Sequence, residues 1–155
     1  MLTKTIKYTD FNGVERKEDF NFNLTKFELT ELQVGVNNKG FAEELQSFVD
    51  NNNSRGILMS IKDIVLKSYG EKDESGKYFL KKDADGRPLC NMFEQTEAFS
   101  TLYMELLNDD KKATEFILGI IPADMAKEVA LQIKANNTTK NATRSATKTS
   151  KSDNE

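Results

Sequence analysis

Histidine and tryptophan are both absent from this chain of 155 residues, and only one cysteine, Cys90, is present. Without histidine, the chain lacks the usual general base near neutral pH and the commonest metal ligand in proteins. A single cysteine excludes an intrachain disulfide and any zinc site built from cysteines alone. Composition therefore argues against histidine-based catalysis, histidine-ligated metal centres and a disulfide scaffold.

Long apolar runs and a strong excess of one charge are also missing. No stretch approaches the roughly 20 apolar residues of a membrane helix, and the opening "MLTKTIKYTD" has no apolar signal core. The formal net charge is only −3, which favours neither nucleic acid nor an anionic membrane as a partner. We therefore expect a protein of a reducing cytoplasm that binds no nucleic acid and no membrane.

Candidate catalytic groups do not combine into a site. Neither carboxylate pair, Glu43-Glu44 or Asp109-Asp110, lies in an apolar setting that would raise a pKa for acid–base work. Cys90 has no histidine to activate it, and we expect a small, half-buried thiol at the start of a helix. We predict that the chain is not an enzyme and that it uses no cofactor or metal.

The acidic segment "LKSYGEKDESGKYFLKKDADG" (66–86) invites comparison with a calcium-binding loop. If Asp83 is taken as the first ligand of such a loop, Asp85 is the third. The fifth position is then Arg87, and the sixth, where a glycine makes the sharp turn, is Pro88. A cation site does not place a guanidinium among its ligands. The acidic residues are therefore predicted to form a turn, within a connection between two core helices.

Two segments near the N-terminus, 3–9 and 14–22, alternate between apolar and polar residues, which is the pattern of half-buried strands. The Asn-Gly pair between them is typical of a hairpin turn. A two-residue turn would place Ile6 opposite a charged residue. We therefore predict a longer loop or a bulge near Phe11, with Ile6 opposite Phe20.

Helical spacing of apolar residues dominates the rest of the sequence. Thr25 and Glu28 form a capping box at the start of the first helix. Phe27 and Leu29 contribute to its apolar stripe, and Gly35 is predicted to end it. Further helices are predicted to begin near residues 40, 57, 91, 110 and 122.

The predicted fold class is α+β and predominantly α-helical. A single globular domain is expected over 1–135, with a β-hairpin at 1–23 followed by a bundle of five to six helices at 24–135. Residues 136–155 contain no apolar residue larger than alanine. Such a polar segment cannot offset the entropy lost on ordering, so it is predicted to be a disordered tail.

Four segments, spread in order over residues 8–126, carry a family resemblance. They read "YTDFNGVERKEDFNFNLTKFEL", "LKSYGEKDESGKYF", "FEQTEAFSTLYMEL" and "FILGIIPADMA". Together they resemble the tail assembly chaperones of siphophages that infect Gram-positive hosts. One departure is "KKDADGRPLCN", which stands where relatives tend to have a simpler polar loop.

The resemblance implies a role as a tail assembly chaperone that acts in the host cytoplasm during infection. It implies that the chain binds the tape measure protein and keeps it soluble while major tail tube subunits are recruited. It also implies that the chain is absent from the mature virion. Two further partners are left open: a second copy of the chain, through self-association, and a longer, frameshifted form of the chain. A minor structural tail or connector protein that stays in the virion is the alternative, and a regulator that binds a host protein is a third class.

Exposed apolar side chains are the expected means of binding, since an amphipathic groove can cover the apolar stripe of a partner helix. Tyr78 and Phe79 either fold back onto the core or present an apolar patch. Methionine adapts to varied partners. The candidate protein-binding residues are Tyr78, Phe79, Met92, Met104 and Met125.

Overall fold

A computed structural model of the chain describes residues 1–34, 54–127 and 130–131. The chain forms two compact units, 1–122 and 123–155. In the second unit, residues 123–127 and 130–131 are helical. The first unit contains, in order, β1 (Leu2–Thr9), β2 (Glu15–Phe22), α1 (Lys26–Val34), α2 (Ser54–Ser68), β3 (Tyr69–Lys72), β4 (Phe79–Leu80), α3 (Cys90–Phe93), α4 (Glu97–Asn108) and α5 (Asp110–Ile120).

The strands of the first unit form one four-stranded antiparallel sheet in the order β1-β2-β3-β4. The α+β class is thus confirmed, but the sheet is larger than the predicted hairpin. Strand β3 starts at Tyr69 and β4 at Phe79, in the segment that was predicted only as a connection between two helices. That interpretation was wrong because α2 ends at Ser68 and the next residue already begins β3.

Gly70, two residues after the end of α2, is a buried residue of β3. A Cβ atom at this position would lie 2.5 Å from Cε1 of Phe79 and 2.6 Å from the carbonyl oxygen of Leu80. Any side chain would collide with backbone as well as with the aromatic ring. The glycine is therefore required for the close approach of β4 to β3.

The register of the β1–β2 hairpin differs from the predicted one. Ile6 lies opposite Glu18, so the predicted pairing with Phe20 was wrong. Phe20 lies opposite Lys4 instead. The prediction of a loop longer than two residues near Phe11 is confirmed, but this loop shifts the register in the direction opposite to the expected one.

The loop that sets this register has three residues, 11–13, between Asp10 and Val14, which form the last hydrogen-bonded pair of the hairpin. The Asp10 N–H donates to the Val14 carbonyl at 2.9 Å, and the Gly13 N–H donates to the Asp10 carbonyl at 2.9 Å. Gly13 has φ +79°, the left-handed conformation that ends this type of loop. Asn12 therefore lies inside the loop rather than forming a two-residue turn with Gly13.

One face of the hairpin packs against helices and the other faces solvent. Helices α4 and α5 contact β1. Ile6 is buried, and the Lys4 ammonium pairs with Glu105 of α4 at 2.9 Å. On the opposite face the odd-numbered residues of β1 are all exposed: Thr3, Thr5, Lys7 and Thr9. The described strands therefore form a sheet with helices on one side.

An aromatic cluster fills the space between sheet and helices. Phe22 is completely buried, and its ring centroid lies 5.1 Å from that of Phe116 and 5.8 Å from that of Phe93. Tyr69 stacks on Phe93 with a centroid separation of 4.2 Å and an angle of 14°. Edge-on and stacked contacts of this kind add to the hydrophobic stabilisation.

The capping box predicted at the start of α1 is confirmed. The Thr25 N–H donates to a Glu28 carboxylate oxygen at 2.8 Å, and the Glu28 N–H donates to the Thr25 hydroxyl at 3.3 Å. Leu29 is buried, but Phe27 is 69% exposed. The apolar stripe assigned to this helix was therefore wrong at Phe27.

The long helix predicted from residue 91 onward is two helices, α3 and α4. Thr96 separates them because its backbone is extended and its hydroxyl accepts a hydrogen bond from the Phe99 N–H at 3.1 Å. This is an N-cap, which starts a new helix. Met92, which lies in α3, is 71% exposed.

The end of α1 predicted at Gly35 and the Glu43-Glu44 pair lie outside the described residues, and two further predictions do so too. Those two are the helix predicted to begin near residue 40 and the polar tail at 136–155.

Candidate protein-binding surface

Within the described part of the first unit, three loops begin with an aspartate whose carboxylate accepts hydrogen bonds from backbone N–H groups of later residues in the loop. Gly13, Gly76 and Gly86 follow at the same spacing with φ of +79°, +70° and +79°. The predicted turn at residues 83–86 is therefore confirmed. The acceptor pairs are Asp10 with Asn12 and Val14, Asp73 with Ser75 and Tyr78, and Asp83 with Asp85 and Arg87.

The loop from Asp73 to Tyr78 holds one of the predicted binding residues in place. Hydrogen bonds from the Ser75 hydroxyl, then from the Tyr78 N–H, lower the pKa of Asp73. The Asp73 N–H donates to the Tyr78 carbonyl at 3.1 Å. The Tyr78 side chain is 64% exposed, so a well-bonded loop presents it to solvent.

Phe79 behaves differently from its neighbour. Its side chain is half-buried in β4, where the ring lies over Gly70. The Lys81 ammonium lies 5.9 Å from the centre of the ring. Each of the two alternatives left open by the sequence thus applies to one residue, because Phe79 folds back onto the sheet while Tyr78 is exposed.

The three predicted methionines lie on separate elements. Met92 is on α3 and is 71% exposed, and Met104 is on α4 and is 50% exposed. Met125 is half-buried and belongs to the second unit. The five predicted residues therefore come from several different elements, and Met125 belongs to the second unit.

A groove that the sequence analysis missed lies among α1, the end of α2, β3 and the segment from β4 to α3. Its volume is about 320 Å³. Apolar side chains and charged side chains both line it. The lining residues are Leu24, Leu66, Tyr69, Pro88 and Cys90, with Glu28, Glu31, Lys67, Lys81 and Lys82.

Lys81 joins three elements at this groove. Its ammonium donates to the Asn23 carbonyl at 2.9 Å, to the Lys67 carbonyl at 2.6 Å and to a Glu28 carboxylate oxygen at 2.5 Å. Lys67 is in the last turn of α2, where backbone carbonyls lack partners within the helix. A cation there is also favoured by the helix dipole. Lys81 thus connects the end of β2, the start of α1 and the end of α2.

Glu28 has two functions at this position. It completes the capping box with Thr25, and it pairs with Lys81. Burial raises the pKa of Glu28, but hydrogen bonds from Lys81 and from the Thr25 N–H outweigh that effect and lower it overall. The carboxylate is therefore held in its charged form at neutral pH.

No sequence signal identified this groove. The capping box located Glu28, but Lys81 is 53 positions away and lies in an ordinary run of charges. Cys90, expected as a half-buried thiol at a helix start, is half-buried at the first position of α3, as predicted.

The chemistry of this surface favours binding. Apolar and charged side chains both line the groove, and the large apolar side chains of Tyr78, Leu80 and Met92 are exposed nearby in sequence. In the part of the chain that the structure describes, no group of three or more acidic or cysteine side chains is arranged to hold a metal ion. Within the same part, no helix has the length and apolar character needed to span a bilayer.

Comparisons with known proteins identify the family. A family model described as phage tail assembly chaperone matches residues 1–155. No curated protein and no solved structure matches the chain. The matched region covers the whole sequence, in agreement with the resemblance of the four segments. The chain therefore belongs to the phage tail assembly chaperone family.

Proposed function

We propose that the protein binds the tape measure protein, keeps it soluble, and helps to recruit tail tube subunits while the tail is assembled. The role is non-enzymatic and is exerted in the host cytoplasm. The observation that carries the proposal is that a folded member of a chaperone family leaves large apolar side chains exposed, with Met92 at 71% and Met104 at 50%.

The tape measure protein needs a chaperone because of its own physical properties. A long helical protein with apolar stripes aggregates unless those stripes are covered. An apolar side chain from such a helix fits a groove with an apolar lining and a charged rim. The groove beside Lys81, at about 320 Å³, is at the small end of ligand pockets, which span about 300–1,000 Å³. It suits one or two side chains of a helix.

The exposed methionines extend this contact surface. Methionine has three rotatable bonds and a polarizable sulfur, so it packs against apolar side chains of varied shape. Each exposed methionine keeps apolar area in contact with water in the free protein. Covering that area on binding would favour association with an apolar stripe.

Acidic substitution of the exposed methionines tests this surface. We expect Met92→Asp and Met104→Asp to weaken binding of the co-expressed tape measure protein by about tenfold or more, since interface anchors contribute about 1–2 kcal/mol or more each. The measurement is the amount of tape measure protein that co-purifies with each full-length chaperone variant, at matched expression of the two proteins. Both positions are exposed, so the fold should be unaffected.

Matched controls place the same charge on the same helices. Asn91 on α3 and Thr101 on α4 are exposed polar residues. Asn91→Asp and Thr101→Asp should leave co-purification near the wild-type level. Equal losses from the methionine variants and these controls would show that added charge, rather than lost apolar contact, was responsible.

Release from the tail before the particle matures would distinguish a chaperone from a structural subunit, which stays in the particle. We expect peptides of this protein to be nearly absent from purified particles analysed by mass spectrometry, because tube subunits replace it along the tape measure protein. Recovery at a stoichiometry comparable to known tail components would favour a minor tail or connector protein instead.

A further inference from the structure

Strand β1 is an edge of the sheet. It pairs with β2 along all eight of its residues, from Leu2 opposite Phe22 to Thr9 opposite Glu15. Among the described residues, no strand pairs with its other side. An edge strand presents unpaired backbone groups to any chain that can extend the sheet.

The hairpin loop identifies which backbone groups face outward. Asp10 and Val14 form a hydrogen-bonded pair. Because bonded and non-bonded pairs alternate in an antiparallel ladder, the even-numbered residues of β1 bond to β2. Just beyond the end of β2, the Asn23 N–H donates to the Ser68 carbonyl at 2.7 Å. The backbone groups of odd-numbered residues on the β2 side of the hairpin therefore point toward β3, which agrees with even-numbered residues bonding to β1. The outward N–H and carbonyl groups of β1 are those of Thr3, Thr5, Lys7 and Thr9.

The other free edges in the described sheet carry features that discourage pairing. The outward residues of β2 beyond the reach of β3 are Glu15, Lys17 and Asp19, which are all charged. Strand β4 has two residues, and the bridge beyond it involves Pro88. Short edges, charges and proline all oppose the addition of strands. The β1 edge has threonine at three of its four outward positions and contains no proline or glycine.

We propose that β1 pairs with β1 of a second copy of this chain, in an antiparallel arrangement centred on Ile6. Thr5 then exchanges hydrogen bonds with the partner's Lys7, and Thr3 does so with the partner's Thr9. The two four-stranded sheets become one continuous sheet through a two-fold axis, and each copy uses the same patch.

The sequence of β1 fits this arrangement with itself. Lys7 faces a threonine rather than the second lysine, so no like charges lie directly opposite each other across the new interface. Threonine–threonine pairs are favourable neighbours on a sheet surface. A register displaced by two residues in one direction would oppose Lys7 to the partner's Lys7, which costs stability. The pairing centred on Ile6 therefore matches β1 to itself with no like charges directly opposed, and this self-complementarity is why the occupant is a second copy.

Two proline substitutions at directly opposed positions test the edge. Lys7 and Lys17 lie opposite each other in the hairpin. Both N–H groups point outward, away from the β1–β2 ladder, where proline is tolerated. Each variant removes one lysine and one outward donor, but only Lys7→Pro alters the β1 edge. The readout is molar mass by sedimentation equilibrium of the full chain.

We expect wild type and Lys17→Pro to show twice the chain mass of 17.6 kDa, and Lys7→Pro to show the monomer mass. A wild-type chain that is still monomeric at about 100 µM would overturn the proposal, since the dimer would then have a dissociation constant well above that concentration. A dimer that survives Lys7→Pro, or one that both variants abolish, would overturn it equally.

A second pair of variants keeps the test valid if Lys7→Pro fails to fold. Thr5→Lys places a lysine opposite the partner's Lys7 at two symmetric positions, whereas Thr9→Lys faces only the partner's Thr3. We expect Thr5→Lys to raise the dimer dissociation constant by about fivefold or more, with Thr9→Lys close to wild type. Equal effects of the two lysines would contradict the register and the proposal with it.

Discussion

Phe22→Ala is expected to lower the free energy of unfolding by about 3–5 kcal/mol, the range for removing a buried phenylalanine. Phe22 is completely buried, and its ring contacts those of Tyr69, Phe93 and Phe116. The truncation would leave a cavity where sheet and helices meet. The measurement is urea unfolding of the full chain, followed by far-UV circular dichroism.

Phe27→Ala is the matched control for this variant. Phe27 is also a phenylalanine of the first unit, but it is 69% exposed. Its truncation should change stability by no more than about 0.5 kcal/mol, as for most surface substitutions. Similar losses from the two variants would show that the aromatic cluster is not the core of the fold.

Lys81→Met is expected to lower the free energy of unfolding by about 2 kcal/mol, because hydrogen bonds to a charged group contribute about 1.5–3 kcal/mol each when buried. The side chains of Lys81 and Glu28 retain 25% and 27% exposure, so solvent reduces the effect of the ion pair. Methionine keeps much of the apolar stem but removes the donor to Asn23 and Lys67. Lys82→Met, at the adjacent exposed lysine, should have little effect.

The effect of Lys81→Met should also depend on pH. The pKa of Glu28 lies below its ordinary value of 4.5 in the folded chain. The stabilisation from this ionised carboxylate is therefore present above pH 4.5 and is lost as pH falls through the lower, folded value. The stability difference between wild type and Lys81→Met should shrink below about pH 4. A difference that stays constant from pH 7 to pH 3 would contradict the role assigned to the ion pair.

Local signals in the sequence predicted local structure well. Thr25 and Glu28 are three residues apart, so their capping box was recognised without knowing the tertiary fold. The aspartate-led turn at residue 83 is likewise contained within a few residues. The hairpin was also found, although its register was not, because that depended on the conformation of Gly13.

Features that join distant segments were not predictable in this way. Strand β3 follows α2 with no intervening loop, so the helical pattern masked the strand that begins at Tyr69. The need for glycine at position 70 arises only from the approach of Phe79. The contact between Lys81 and Glu28 spans 53 positions, and no sequence pattern links them.

The candidate binding residues show the same difference between local signals and contacts that join distant segments. Exposure of Tyr78 follows from a local loop, whereas burial of the Phe79 ring depends on its packing over another strand. Met92 and Met104 lie on helices whose sequence is compatible with either a buried or an exposed position. Only the folded arrangement showed that both are exposed, and this is the basis on which they are proposed as contacts.

The soluble fraction of the tape measure protein is the most direct measurement of the proposed chaperone role. The tape measure protein would be expressed alone, with this chain, and with the double variant Met92→Asp/Met104→Asp, and quantified after centrifugation. The account predicts that it is largely insoluble alone, soluble with the wild-type chain and mostly insoluble with the variant. A tape measure protein whose solubility is the same with and without the wild-type chain would contradict the account.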